Sequence, residues 1–208
     1  MKRLLPIIAL LVLVMPVRTV AHQLDEYLQA ARIAFARDRI VLEIDLTPGA
    51  NIAGEIVAAL DSDGNGVVHP LEARAYGQAV VGDFDLSFDG QAVHLALETI
   101  EVPAVAEMRR GVGTIQLTVA GTIGPAPDGT RHVRFTNRHH PATSVYLANA
   151  LVSADRDVQV VSQRRDYRQQ QIDVEYKIGS RWPLQLIWVL VGVTVIGSRV
   201  AARQSRTA

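Results

Sequence analysis

The sequence predicts a mainly β domain, an antiparallel β-sandwich of immunoglobulin-like kind with a helix-loop-helix inserted between two of its strands. Three observations predict it. Several stretches alternate apolar and polar residues with a period of two, as a strand with one buried face requires. Turn-forming pairs such as Asp89-Gly90 separate them. One stretch between Asn51 and Val80 breaks the pattern, repeating its apolar residues at helical spacing on both sides of a glycine-rich acidic loop.

The elements follow in chain order. Lys2 and Arg3 precede the apolar run Leu4 to Val17, and Thr19-Val20-Ala21 ends in a small residue. This is the pattern of a secretory signal over residues 1–21, cleaved after Ala21. An uncleaved anchor is the competing reading, and the short run with Pro6 and Pro16 favours cleavage. The exported chain then begins at His22, and residues 22–180 form one extracytoplasmic domain.

In that domain Ile40, Leu42, Ile44 and Leu46 mark a strand, as do Phe84, Leu86 and Phe88. Asp89-Gly90 signals a tight turn, and Val93, Leu95 and Leu97 then return as the second arm of a hairpin. Further strands are read at Ile115-Leu117-Val119, Val133-Phe135, Val145-Leu147 and Ile172-Val174-Tyr176. The insert at 50–82 opens at Pro48-Gly49 and closes at Gly82-Asp83. Its first helix aligns Ile52, Ile56, Val57 and Leu60, and its second Leu71, Ala75, Tyr76, Ala79 and Val80.

At the C-terminal end, Trp182 to Gly197 is almost wholly apolar, and as a helix it spans about 24 Å. Extension through Ala202 makes 181–202 a membrane-spanning helix, with Arg199 snorkelling and Trp182 and Trp188 suited to an interface. A buried core helix is the alternative, but the segment shows no polar face. Arg199, Arg203 and Arg206 place the tail, 203–208, in the cytoplasm. The expected location is a bacterial inner membrane, crossed once, with the folded domain on the periplasmic side.

Composition excludes several functions. The 208 residues carry 21 basic and 21 acidic side chains, so no net field favours nucleic acid. There is no cysteine, hence no disulfide, thiolate metal site or cysteine nucleophile. Neither a G-x-S-x-G elbow nor an H-E-x-x-H helix is present, and the reading is of a protein that is not an enzyme.

The loop "LDSDGNGVVHPLEA" carries the most specific chemistry. Counted from Asp61, oxygen-bearing Asp61, Asp63 and Asn65 fall at positions one, three and five, Gly66 at six and Glu72 at twelve. Val67 offers its carbonyl at seven, and His69 stands at nine, where water reaches the ion. Calcium, a hard cation, takes six to eight oxygens, and this spacing can aim them at one point. Gly66 supplies the positive φ that reverses the chain, Val68 pins the loop to the core, and Pro70 fits the first helical turn. The stretch 51–82 resembles the EF-hand family, which implies calcium held by Asp61, Asp63, Asn65, Val67, His69 and Glu72. It departs at His69, where a short oxygen-bearing side chain is usual, and at Ala73, where a larger apolar one is. No second loop follows, so the expected affinity is modest.

The histidines offer a different chemistry. The amine and imidazole of His22 could chelate copper or nickel, and His94, His132, His139 and His140 could add ligands. "AHQLDEYLQA" and "NRHHPATSVYLANAL" are similar to the extracytoplasmic front of bacterial nickel/cobalt-transporter-like and hydrogenase/urease accessory (HupE/UreJ-like) membrane proteins. That resemblance implies a calcium-binding ectodomain tied to metal handling. Those proteins continue into several membrane helices and this sequence shows one, so the implied role is accessory, with a membrane transporter as partner. The alternative function is a copper- or nickel-binding protein that uses His22.

Overall fold

A computed structural model describes residues 25–153 and 155–179 of the chain. The expected signal segment, His22, the apolar helix at 181–202 and the tail lie outside the described residues. Among those described, no helix is long and apolar enough to cross a membrane.

Among the described residues, ten strands form two five-stranded sheets. Sheet A has the order β5-β6-β2-β1-β8, made of β5 (Leu95–Glu101), β6 (Ile115–Thr122), β2 (Arg39–Pro48), β1 (Tyr27–Phe35) and β8 (Ser144–Ala150). Sheet B has the order β4-β3-β7-β10-β9, made of β4 (Gln91–Ala92), β3 (Phe84–Phe88), β7 (Gly129–Asn137), β10 (Gln171–Ile178) and β9 (Val158–Arg165). The inner faces meet in one apolar core. Ile40, Leu42, Ile44 and Leu46 of β2 are each no more than 1% exposed, and Ile172, Val174 and Tyr176 of β10 are as closely buried. Phe35 and Tyr176 stack across the sheets with ring centroids 4.7 Å apart. Each fully buried Ile or Leu contributes about 1.5–3 kcal/mol, so alternation along the strands supplies the main driving force.

Three expectations are corrected. The sandwich is not wholly antiparallel, because β1 pairs with β8 in parallel, Tyr27 opposite Ser144 through Ile33 opposite Ala150. The hairpin after Asp89-Gly90 is only two residue pairs long, Ser87 with Ala92 and Phe88 with Gln91. Asp89 and Gly90 take φ of 47° and 82°, as a tight hairpin turn requires. Beyond Ala92 the chain leaves sheet B and enters sheet A, where β5 pairs with β6. In β8 the phase is reversed. Tyr146 and Ala148 face the core, while Val145 and Leu147 are 39% and 40% exposed. Both phases carry apolar residues, so alternation could not choose, and the Tyr146 hydroxyl decides by bonding the His139 carbonyl at 2.8 Å.

The insert is the crossover from β2 of sheet A to β3 of sheet B. Helix α1 (Ala53–Leu60) buries Ala53, Ile56, Val57 and Leu60. Helix α2 (Pro70–Gly82) buries Ala73, Tyr76, Gly77 and Val80, while Leu71 is 83% exposed. Of the expected stripe, Tyr76 and Val80 are buried as read, while Leu71, Ala75 and Ala79 face outward and Ala73 and Gly77 take the inward places. The cause is close packing on β5. A Cβ on Gly77 would lie 2.7 Å from Leu97 Cδ2 and 3.0 Å from Ile100 Cδ1. Gly77, which has no side chain, makes this contact, and Ala73 is buried one turn before it. A one-turn helix, α3 (Val105–Arg109), seats the fully buried Met108.

At one flank β9 reaches across to the edge of β8. Arg165 Nε donates to the Ala148 carbonyl, and Gln163 Oε1 accepts from Ala150 N–H at 3.0 Å.

The β8 phase is testable. By urea denaturation, Tyr146→Ala should cost about 3–5 kcal/mol, whereas Leu147→Ala on the solvent side should cost less than about 1 kcal/mol.

Candidate functional site

Helix α1 ends at Asp61, whose N–H still donates to the Val57 carbonyl at 2.8 Å. The chain then turns tightly, with Gly64 and Gly66 at φ of 70° and 85° and no atom within 4 Å of a Cβ built on either. The constraint there is backbone conformation rather than space. The buried Asp61 carboxylate organises the turn, accepting from Asn65 N–H at 3.0 Å and Gly66 N–H at 2.8 Å. Asp63 accepts from Asn65 N–H at 3.1 Å and from its side-chain amide at 2.7 Å. Asn65 Oδ1 in turn accepts from Val67 N–H at 2.8 Å.

Glu72 ties the two ends of the loop together. One carboxylate oxygen accepts from Ser62 N–H at 2.8 Å, Ser62 Oγ at 2.8 Å and Asp63 N–H at 3.2 Å. The other accepts from His69 N–H at 2.9 Å, reaching back to the residue that caps α2. These donors, the His69 amide first and the Ser62 hydroxyl next, hold its pKa down at about 2.

One oxygen each from Asp61, Asp63 and Glu72 lie within 4.8 Å of one another, so this group could hold a metal ion. Asn65 is bonded into the same turn. Val67 is 57% exposed, and the His69 ring lies over Asn65, with Nε2 3.3 Å from the side-chain amide nitrogen. Val68 packs against the core, as its anchoring role requires.

At the other end of α2 lies a buried polar cluster. The Tyr27 and Tyr76 hydroxyls are 2.8 Å apart, joining β1 to α2. Burial raises both phenol pKa values, Tyr27 well above its usual range and Tyr76 to about 12. The loop from β7 to β8 carries His139 and His140. His139 is buried, and its Nδ1 lies 2.8 Å from Asp83 Oδ2, just past the end of α2. Asn137 accepts His139 N–H at 2.9 Å and donates to Gln29 Oε1 at 2.8 Å. Gln29 Nε2 then donates to the His139 carbonyl at 2.8 Å.

The expected histidine cluster is only partly assembled. His139 and His140 are adjacent, but His132 lies on the exposed face of β7 and His94 in the exposed link between β4 and β5. His22 lies outside the described residues. Sequence reasoning missed Tyr27, Gln29, Asp83 and Asn137. Only Gln29 left a trace, a polar residue in the inward phase of β1.

Compared with known proteins, the chain matches no family model and no curated sequence.

The tyrosine pair makes an alkaline prediction. A phenol whose folded pKa is raised stabilises the fold below its unfolded pKa of 10.0, and that stability is lost as pH rises through the folded value, about 12 for Tyr76. Stability should therefore fall from pH 10 upward, measured as a falling urea midpoint followed by circular dichroism. Tyr27→Phe, which removes one hydroxyl of the pair, should cost about 1 kcal/mol at pH 7 in urea denaturation.

Proposed function

We propose that this chain is a membrane-anchored extracytoplasmic module that binds one calcium ion in the loop from Asp61 to Glu72 and serves an accessory or binding role in metal handling. The observation that carries the calcium reading is the convergence of the Asp61, Asp63 and Glu72 oxygens in a loop turned by two left-handed glycines. Three hard, charged oxygens suit calcium and not an imidazole-seeking metal. The Asn65 side chain and the Val67 carbonyl are the next ligands in the spacing, and water fills the place beside His69.

The hydrogen bonds of the loop bear on affinity. The Glu72 oxygens already accept from the Ser62, Asp63 and His69 amides, so calcium meets bonds that the loop makes without it. With His69 at the ninth position and three formal charges, the reading is of a weak site like those of extracellular modules, with Kd of about 0.1–1 mM and a structural ion. The membrane anchor is supported by the apolar end segments, and the metal-handling role by the similarity to HupE/UreJ-like fronts.

The test uses the full-length protein in detergent. At about 5 mM calcium, binding in that range stabilises by about 1–2.3 kcal/mol. For a domain of this size the melting temperature should rise by roughly 2–9 °C. Glu72→Gln should abolish the rise. A wild-type melting temperature indifferent to calcium, with no ion retained in equilibrium dialysis, would refute the reading.

A further inference from the structure

We propose that His139 is an acid-sensitive latch. Neutral, it holds the loop between β7 and β8 to the end of α2; protonated, it lets the two come apart. The device is separate from the acidic loop, which lies at the other end of α2.

The latch joins segments far apart in sequence. His139 lies in the loop that carries the chain from sheet B to sheet A, and Asp83 directly follows α2. His139 Nδ1 is 2.8 Å from Asp83 Oδ2, and the Arg138 N–H donates to the Asp83 carbonyl at 2.9 Å. A carboxylate can only accept, so Nδ1 carries the proton of the neutral ring. His139 is 5% exposed, and its Nε2 is buried with no hydrogen-bond partner. In the neutral ring that atom is a lone pair. In the imidazolium it becomes a second N–H donor sharing a full charge, with no acceptor in reach, which is far more costly to bury.

The groups packed around the ring decide between the two forms. Asp83 attracts the charged ring, but its side chain is 48% exposed and water screens it. Tyr27 of β1 and Tyr76 of α2 pack edge-on against His139, and their hydroxyls are bonded to each other at 2.8 Å. Burial raises both phenol pKa values, so neither brings a charge in acid. Tyr146 of β8 is engaged with the His139 carbonyl. His140, with its ring centroid 4.4 Å away, adds like-charge repulsion. Of the remaining charges nearby, Glu55 of α1 faces His140, and Arg138 is paired with Asp85. Burial is the largest of these influences, and it lowers the pKa of His139 from its ordinary 6.5.

The backbone is set to release. His140 takes a φ of 48°, in the left-handed region that residues with a Cβ seldom enter, and such a conformation persists where its surroundings impose it. A charged His139 reaches water only if this loop lifts from α2. A group whose folded pKa is lowered gives stability that is full above its unfolded value, here 6.5, and is lost as pH falls through the folded value. Carboxylates ordinarily titrate at about 4, so the interval from pH 7.5 to 5.5 reports on imidazoles.

The test is urea denaturation of the full-length protein in detergent across that interval, with a chelator present so that no divalent ion contributes. We expect the folded-to-unfolded ratio to fall, by up to about tenfold per pH unit below the unfolded value. His139→Asn, whose amide can donate to Asp83 but cannot gain a proton, should remove the fall, whatever its absolute stability. His132→Gln, on the exposed face of β7, should keep it. Hydrogen exchange of the wild type tests the latch without a variant. Corrected for intrinsic rate, the Arg138 amide should lose protection from pH 7.5 to 5.5, and at pH 5.5 it should exchange faster than amides at the centre of β2, as local release requires. Stability indifferent to pH, a fall that persists in His139→Asn or vanishes in His132→Gln, or an Arg138 amide equally protected at both pH values, overturns the proposal.

Discussion

The His139 carbonyl is the point on which the site end of this molecule depends. It accepts from Gln29 of β1 at 2.8 Å, from Tyr146 of β8 at 2.8 Å and from Ser144 at 3.3 Å. The same residue's N–H is held by Asn137 at the end of β7. The chain here passes from sheet B to sheet A, and a loop making that passage would otherwise bury backbone groups without partners, at about 1–3 kcal/mol each. Gln29 and Asn137 supply the partners and lock each other. With the backbone fixed, the two imidazoles that follow have little choice of direction, and Asp83 has a rigid group against which to seat the end of α2.

Helix α2 therefore carries a group of consequence at each end. Glu72 in its first turn gathers the acidic loop, and Asp83 beyond its last turn orients His139. The rise from position 72 to position 83 sets them about 17 Å apart along the helix axis. Between them Tyr76 bonds Tyr27, and Gly77 rests on Leu97 and Ile100. The helix is a strut between two polar regions of different chemistry, one of carboxylates and one of imidazoles.

Much of this was legible in the sequence, for identifiable reasons. The strands at Ile40–Leu46, Ile115–Val119 and Ile172–Tyr176 alternate large apolar with polar residues, and their faces were read correctly. The loop was legible because its ligand spacing is local. The strand at Val145–Leu147 was read in the wrong phase because Tyr146 and Ala148 compete with Val145 and Leu147, and only a long-range hydrogen bond separates the two. Strand β9 carries almost no signal, since after Val158 it lies at an edge with exposed or half-exposed side chains. The α2 stripe was read correctly at Tyr76 and Val80 and missed Ala73 and Gly77, small residues that hydropathy underrates. The Tyr27, Gln29, Asp83 and Asn137 cluster joins residues up to 110 positions apart, and no local pattern announces it.

The flank where β9 leans over β8 bears on how such a module meets other proteins. The open rim of a sheet normally invites another chain to add a strand through its free amides and carbonyls. Here Arg165 and Gln163 spend their polar groups on the Ala148 carbonyl and the Ala150 amide, so that stretch of rim is already satisfied from within. Lengthening the sheet on this side would mean evicting two side chains first. Strand addition is thereby disfavoured along that stretch of rim.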